Sequence, residues 1–196
     1  MILENTQSGY SSTTEPKLVF GGIELRAPKR HDVQELLSYS NRNKEFHKPW
    51  EPIRPKGYYT PDFWYSHVTR IHEDFKYGRA VRLFLFQQET SQAIGYICYN
   101  NIVRGAGNYC TIGYSVDQDF QGRGIMSQAI RMSNRYVFEE LGLRRIVANY
   151  MPRNTRSGKL LKRLGFVTEG YAREFLCING TWEDHIMTAL INKRYS

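Results

Sequence analysis

The pattern of apolar and polar positions is clearest between Thr111 and Leu141. Apolar and polar side chains alternate from Thr111 to Val116, which predicts a half-buried strand. After a polar turn, apolar side chains recur on one face of a helix, at positions 125, 126, 129, 130, 137, 138 and 141. Gly142 is the expected end of that helix, because glycine readily adopts the left-handed conformation common there.

The same reasoning predicts alternating strands and helices along the rest of the chain. Before the central helix, a strand or hairpin is predicted at 18–26, strands at 80–87, 93–103 and 109–116, and helices at 31–43 and 61–77. After it come a strand at 145–150, a short helix at 154–165 and a hairpin over 166–191 that turns at Asn179-Gly180. The strand at 145–150 should lie parallel to 109–116, because a long helix connects them. The segment 46–55 is predicted to be irregular because it contains three prolines.

The turn Gln121-Gly122-Arg123-Gly124 leads directly into the central helix. The first N–H groups of a helix have no partner within the helix and lie at the positive end of its dipole, where phosphate oxygens bind well. Gly122 and Gly124 lack a Cβ atom, so a bulky anion can approach the main chain there. This pattern indicates an anion site, but a G-x-G sequence alone is more often a plain turn whose glycines serve only its geometry.

Composition narrows the class of protein. Of the 196 residues, 41% are hydrophobic and 14% aromatic, values typical of a folded domain. We expect a flexible arm over residues 1–16 and a single domain over residues 17–196. No apolar run reaches the length of a membrane span and no signal peptide is evident, so a cytoplasmic protein with no membrane partner is expected. Cys98, Cys110 and Cys177 lack metal-site spacing and are predicted to be reduced core thiols; no metal is expected.

The chain is basic, with a formal net charge of +8 and a pI near 9.4. Such a charge favours anionic partners: nucleic acid, a phosphorylated cofactor, an acidic protein surface or the ribosome. No motif of interleaved aromatic and basic residues typical of RNA-binding modules stands out, and no DNA partner is expected.

Several motifs together resemble a known family. The order of strand, Gln121–Gly124 turn, long helix, strand, Asn154-x-x-Ser157 and Leu164-Gly165-Phe166 is similar to that of the GNAT superfamily of acetyl-CoA-dependent N-acetyltransferases. Further stretches resemble its RimJ branch, the ribosomal-protein alanine N-acetyltransferases: HKPWEPIR from His47, NIVRG from Asn101, ANYMPRNTRSG from Ala148 and GTWEDH from Gly180. Met126 departs from the superfamily pattern, which has a small residue at that position.

The resemblance spans residues 18 to 192 and implies a fold. That fold is the α/β GNAT (acyl-CoA N-acyltransferase) fold, with a mixed central sheet of about six to seven strands and helices on both faces. In it, the strands at 109–116 and 145–150 splay apart at their ends, and the gap admits the pantetheine arm of acetyl-CoA, the implied co-substrate. The N–H near Val116 would then face the thioester oxygen.

The resemblance also implies which residues bind the cofactor. Backbone groups of Ser115 and Val116 would pair with the pantetheine arm, and the glycine turn would hold the diphosphate. The implied cofactor-binding residues are Ser115, Val116, Gln121, Gly122, Arg123, Gly124, Ile125, Met126, Asn154 and Ser157. For Arg123 a solvated surface position is an equal alternative, and Asn154 is also a good helix N-cap.

Acyl transfer needs a neutral amine and a protonated leaving thiolate. An α-amino group ordinarily has a pKa of about 8, so a modest base is enough. Glu174 is the first candidate and Glu51 the second, the latter as base or as anchor for the substrate's ammonium. Many superfamily members have a Tyr acid seven residues after the Asn, where this chain has Leu161, so Ser157 is the candidate partner of the CoA sulfur. A surface carboxylate and an ordinary first-turn serine are the alternatives for Glu174 and Ser157.

The implied acceptor is the N-terminal amine of a ribosomal protein that begins with alanine, in the RimJ branch small-subunit ribosomal protein five. The expected peptide-binding residues are Trp50, Glu51, Asn101, Tyr114 and Tyr171, although aromatic residues also fill cores. Direct attack in a ternary complex is favoured, because no convincing Cys–His pair is present. Two alternatives stay open: a GNAT enzyme for another amine (another protein N-terminus, a polyamine or an antibiotic), and a non-catalytic basic ribosome-assembly or RNA-binding factor. Ribosomal particles or assembly intermediates are further expected partners.

Overall fold

The computed structural model describes residues 14–193. One mixed sheet contains eight strands in the order β1-β2-β3-β4-β5-β6-β8-β7. The strands are β1 Lys17–Phe20, β2 Ile23–Arg26, β3 Val81–Gln87, β4 Ala93–Val103, β5 Tyr109–Val116, β6 Arg145–Tyr150, β7 Val167–Ile178 and β8 Thr181–Ile191. The helices are α1 Val33–Arg42, α2 Lys44–His47, α3 Pro61–Lys76, α4 Ile125–Glu139 and α5 Thr155–Arg163.

The predicted GNAT topology is confirmed. Strands β1 to β5 are antiparallel, and β6 lies parallel to β5 across the connection through α4. Strand β8 pairs with β6, so β7 is the outermost strand of the closing hairpin. The sheet has eight strands rather than six to seven, because residues 17–26 form a hairpin of two short strands that turns at Gly21-Gly22.

Helices cover both faces of the sheet because the central strands carry apolar side chains on both faces. Leu83 and Leu85 of β3 point to one face, where they share a core with Ile130 and Val137 of α4. Phe84 and Phe86 point to the other face, where α1 and α3 pack on them. Two separate cores therefore hold the central strands in place between helical layers.

The segment from Lys44 to Trp50 is more regular than its prolines suggested. It forms α2 and a 3₁₀ turn, Lys48–Trp50. Pro49 is accommodated because it stands in the first turn, where its missing N–H has no helical partner to lose. The prediction of an irregular segment over 46–55 was therefore wrong for its first half.

Two further expectations concern the ends and the cysteines. Cys98 and Cys110 are buried as predicted, but Cys177 is exposed on β7, which no helix layer covers, so its prediction as a core thiol was wrong. Most of the predicted arm over residues 1–16 lies outside the described residues; within them, Glu15 accepts a hydrogen bond from His72 Nδ1 at 2.6 Å. Among residues 14–193, no helix is long and apolar enough to span a membrane.

Candidate active site

The cleft begins where β5 and β6 separate. The two strands pair only from Tyr109 with Arg145 to Thr111 with Val147. Beyond that point β5 continues along β4, and β6 continues along β8. Residues 112–116 and 148–150 therefore have no strand partner on the side facing each other, and their backbone groups border an open gap. A peptide-like arm can pair with such an edge as an extra strand.

The donor end of the cleft is the start of α4. Gly124 is the N-cap residue, with φ +75°, and no side chain caps the helix. The Gln128 N–H is the first to donate within the helix, to the Gly124 carbonyl at 3.1 Å. The N–H groups of Ile125, Met126 and Ser127 therefore have no acceptor within the helix, and these residues line the cleft. A Cβ atom added at Gly124 would have no atom within 4 Å, so the surface there is open. This geometry suits an anion held by main-chain amides.

Helix α5 brings Ser157 against the end of β5. The Asn154 Oδ1 accepts a hydrogen bond from the Ser157 N–H at 3.2 Å and so caps the helix. The Ser157 Oγ lies 2.7 Å from the hydroxyl of Tyr114. A Cβ atom at Gly158 would come within 2.7 Å of the Tyr150 ring, so glycine allows this close approach of α5 to β6. Burial raises the pKa of Tyr114 to about 12, against the opposing effect of its hydrogen bond with Ser157.

A different set of polar groups lies on the opposite face of the sheet. Glu51 pairs with Arg54 and accepts a hydrogen bond of 3.3 Å from the Tyr96 hydroxyl. Burial raises the pKa of Tyr96 to about 12, and the nearby Glu51 charge acts in the same direction, so the phenol stays protonated at neutral pH. The Ser115 Oγ lies 2.6 Å from the Tyr39 hydroxyl on α1. Glu51 is therefore a carboxylate fixed at the cleft wall.

The end of β5 is anchored to α1 and α2. Asp117 is buried and accepts hydrogen bonds from Arg42 Nε at 2.7 Å and Asn43 Nδ2 at 3.0 Å. Burial opposes its charge, but the hydrogen bonds from Asn43, the Asp119 N–H and Arg42 outweigh this and lower the pKa of Asp117. His47 Nε2 lies 3.1 Å from the Val116 carbonyl, to which it donates. These contacts hold the strand edge that faces the gap.

The segment containing Trp50 and Glu51 is held over the cleft by distant residues. The Arg153 guanidinium stacks over the Trp50 ring at 5.0 Å and donates to the Pro49 carbonyl at 3.0 Å. It also pairs with Glu183 of β8 at 2.7 Å. The Asn179 N–H of the β7–β8 turn donates to the Glu51 carbonyl at 3.0 Å. This part of the cleft wall is thus built from three separate parts of the chain: residues 49–51, Arg153 and the β7–β8 hairpin.

Together these elements enclose a cleft of about 730 Å³ that runs from the start of α4 to Glu51. Most of the predicted site residues line it: Trp50, Glu51, Asn101, Tyr114, Ser115, Val116, Gln121, Gly122, Gly124, Ile125, Met126, Asn154 and Ser157. The size suits an extended ligand of drug-like or larger size.

Three predicted residues do not line the cleft. Arg123 donates to the Asp119 carbonyl at 2.8 Å and stacks over Phe120, so its side chain is directed to the turn. The Tyr171 hydroxyl donates to Asp184 at 2.5 Å on the exposed β7–β8 hairpin. Glu174 is exposed, and its N–H donates to Asp184 at 2.8 Å. The structure thus brings Glu51, rather than Glu174, to the cleft.

Several cleft residues escaped prediction: His47, Tyr96, Asn149, Arg156, Arg163 and His185. Arg156 and Arg163 stand seven positions apart on α5, a spacing that puts both on one helical face and could have identified them. Arg156 donates to Gln121 Oε1 and so ties α5 to the glycine turn. The others come from elements far apart in sequence, and no local pattern marks them.

The residues present fit acetyl-CoA. The uncapped start of α4 offers amides for a diphosphate, and the gap between β5 and β6 offers unpaired strand edges for an amide-containing arm. Both features offer main-chain groups to which a ligand can hydrogen-bond.

Comparison with known proteins agrees with this geometry. Residues 23–167 match the Acetyltransferase (GNAT) domain family. Over 183 residues the chain is 40% identical to the [ribosomal protein uS5]-alanine N-acetyltransferase of Escherichia coli (strain K12), covering 93% of this chain and 94% of that one.

Solved structures show the same fold. The ribosomal-protein-S5-alanine acetyltransferase from Vibrio fischeri superposes with a TM-score of 0.89 at 36% identity, covering 92% of this chain and 99% of that one. Mycobacterium smegmatis RimJ, in complex with CoA-disulfide, superposes with a TM-score of 0.84 at 25% identity, covering 92% of this chain and 88% of that one. The chain therefore belongs to the GNAT family of acetyltransferases.

Proposed function

We propose that this enzyme transfers the acetyl group of acetyl-CoA to the N-terminal α-amine of ribosomal protein uS5, whose first residue is alanine. The observation that carries the proposal is one gap between β5 and β6 with donor groups on one face and a fixed carboxylate on the other. The acceptor rests on the 40% identity with an enzyme named for that reaction over nearly the full length of both chains.

In the donor half of the site, different residues bind different parts of acetyl-CoA. Acetyl-CoA supplies the acetyl group as a thioester. The amides of Ile125, Met126 and Ser127 bind its diphosphate, and Asn154 and the edge of β5 bind the pantetheine arm. Arg156 and Arg163, at the same cleft, add positive charge for the phosphates. Arg123 is directed away and has no part in this binding.

The strand edge at Val116 orients the reacting carbonyl. The Asp117 N–H donates to the Ile94 carbonyl on β4 at 2.8 Å. Because backbone groups alternate along a strand, the Val116 N–H points away from β4 and towards the gap. It donates to the thioester oxygen, which gains negative charge as the amine attacks.

Proton transfer is divided between the two faces of the sheet. On the Tyr96 face, Glu51 holds the substrate's ammonium and takes its proton, because it lines the cleft and Glu174 does not. On the α5 face, the Ser157 hydroxyl, held by Tyr114, protonates the leaving sulfur and regains its proton from water. The second proton that the nitrogen loses as the amide forms passes to water. The amine attacks the thioester directly, without a covalent enzyme intermediate.

The basic charge of the chain supports an anionic partner for the whole complex. Arg153, Arg156, Lys159, Lys162 and Arg163 are exposed on α5 and the residues before it, and Arg156 and Arg163 line the cleft. Ribosomal particles and assembly intermediates present dense phosphate, so these residues would attract them as the substrate's N-terminus enters. The proposed setting is the cytoplasm.

The test uses the purified chain, acetyl-CoA and a synthetic peptide with the N-terminal sequence of uS5. Mass spectrometry of the product is expected to show one acetyl group on the α-amine, with intersecting lines in double-reciprocal plots for the two substrates. The same peptide with an acetylated N-terminus is the control and should not react. Transfer to spermidine but not to the peptide would overturn the proposed acceptor, and parallel lines would overturn direct attack.

A further inference from the structure

Asn149 lies where β5 and β6 separate. It stands two positions beyond Val147, the last β6 residue paired with β5, and it lines the cleft. Its Oδ1 atom is buried and accepts no hydrogen bond from any described residue. A buried carbonyl oxygen without a donor destabilises the folded chain, and such atoms are rare in native structures. The side chain is therefore placed for a donor that arrives with a ligand.

The register of the sheet decides which face Asn149 occupies. Val147 pairs with Thr111, and side chains two apart on a strand share a face, so Asn149 lies on the face of Thr111 and Ser115. Ser115 contacts Tyr39 of α1, which identifies this as the face of Tyr96 and Glu51. The Tyr114–Ser157 pair lies on the opposite face. Asn149 thus lies on the acceptor side of the gap, away from the leaving sulfur.

The chemistry of an amide oxygen limits what this donor can be. It accepts hydrogen bonds but takes no proton near neutral pH, so it binds an ammonium and a neutral amine alike. Glu51, by contrast, takes a proton. An amine held by both groups keeps its contact with the amide oxygen after it has lost its proton to the carboxylate. Its lone pair is then free for attack while its position is maintained.

We propose that Asn149 Oδ1 binds the α-amine of the acceptor and positions it for attack on the thioester. This inference rests on the proposed function and adds a substrate-binding residue to it. It assigns the selectivity for an amine over an alkyl group partly to Asn149. A buried oxygen left without a donor disfavours any acceptor that lacks a hydrogen-bond donor at this point.

The experiment compares two peptides on two proteins. The first peptide has the N-terminal sequence of uS5; the second has propionyl in place of the first alanine and so lacks only the amine. Calorimetry with CoA-saturated protein measures both affinities for the wild type and for Asn149→Ala. We expect Asn149→Ala to weaken binding of the free-amine peptide about 10-fold and of the des-amino peptide less than about twofold. The KM for acetyl-CoA is expected to stay unchanged.

Thr111→Val is the matched control, because Thr111 lines the same cleft but its hydroxyl is already bonded to the Asn100 carbonyl at 3.2 Å. It should affect both peptides equally. Folding of Asn149→Ala is checked by thermal melting, and its Tm should not fall, because the removed oxygen has no protein partner. Equal weakening of the two peptides, or no weakening of either, overturns the role of Asn149. Absence of wild-type turnover with the uS5 peptide instead overturns the proposed acceptor, and this inference with it.

Discussion

The hydroxyl pair of Tyr114 and Ser157 allows a sharp test of how the leaving sulfur is protonated. The two oxygens lie 2.7 Å apart, and burial raises the pKa of Tyr114 to about 12. The phenol therefore keeps its proton at neutral pH, and either hydroxyl can be the donor between the two. When Tyr114 is the donor, the serine hydroxyl proton is free to point at the sulfur. In this arrangement Tyr114 is a positioning residue that acts only through Ser157.

The expected magnitudes follow from the two roles. Loss of a general acid lowers the rate by about 10²-fold or more, so Ser157→Ala should lower kcat by that factor. Loss of one neutral hydrogen bond amounts to about 1 kcal/mol, so Tyr114→Phe should lower kcat about fivefold. In the double variant the tyrosine has nothing left to position. Its kcat should therefore equal that of Ser157→Ala, and the coupling energy should equal the whole Tyr114 effect.

Release of free thiol from acetyl-CoA, followed with a chromogenic disulfide, measures kcat and KM for all four proteins. The KM for peptide should change little, because the pair lies on the face opposite Glu51. Between pH 6 and 10, Tyr114→Phe should lower the whole kcat profile without adding a new pH limb, since the phenol titrates only near 12. Effects of the two substitutions that simply multiply in the double variant would refute the reasoning, because Tyr114 would then act independently of Ser157.

Three further predictions concern the glycine turn, the candidate base and a half-buried histidine. Gly124→Ala should destabilise the chain by about 1–2 kcal/mol and weaken acetyl-CoA binding, because an L residue is strained at φ +75°; urea unfolding and calorimetry measure this, with Gly170→Ala on an open strand as the neutral control. Glu51→Gln should lower kcat/KM for the peptide by about 10²-fold with acetyl-CoA affinity unchanged in calorimetry; equal loss for both substrates would contradict the assignment. Burial, and next the charge of Arg82, lowers the pKa of His67 from 6.5 to about 4. The unfolded chain is therefore protonated first as pH falls, and stability is lost between pH 6.5 and 4, by about 2 kcal/mol allowing for partial exposure. His67→Gln should remove that part of the loss in urea unfolding at pH 7 and pH 4.5, and an unchanged loss would show that another group is responsible.

The local sequence predicted the secondary structure correctly wherever the conformation of a segment depends on residues close to it in the chain. The strand before the glycine turn, the helix after it and the Asn179-Gly180 hairpin all lie where the pattern of apolar residues and turn residues put them. The parallel placement of β6 beside β5 also followed, because a long connecting helix allows little else. Asn154 caps α5 as its residue type suggested. The donor half of the cleft is made from these local features, so most of it could be predicted.

The β7 strand shows where such reasoning fails. From Ala172 to Leu176 the strand advances four residues while β8 advances two, from His185 to Glu183. Glu174 stands inside this bulge with φ +46°. Counting alternate positions assumes an even pleat, and a bulge changes which face each later residue occupies. Glu174, the first candidate base, stands exposed on this strand and does not line the cleft.

By itself, the sequence determined the order of elements, the glycine turn at the start of α4 and the family motifs, because these depend on neighbours a few residues apart. Only the tertiary structure decided which carboxylate reaches the cleft and that Asn149 lies unpaired beside it. Glu51 is brought there by contacts with Asn179 and Arg153, more than a hundred residues away in the chain. Such contacts form only when the sheet has assembled, and no local sequence pattern predicts which distant backbone groups will meet.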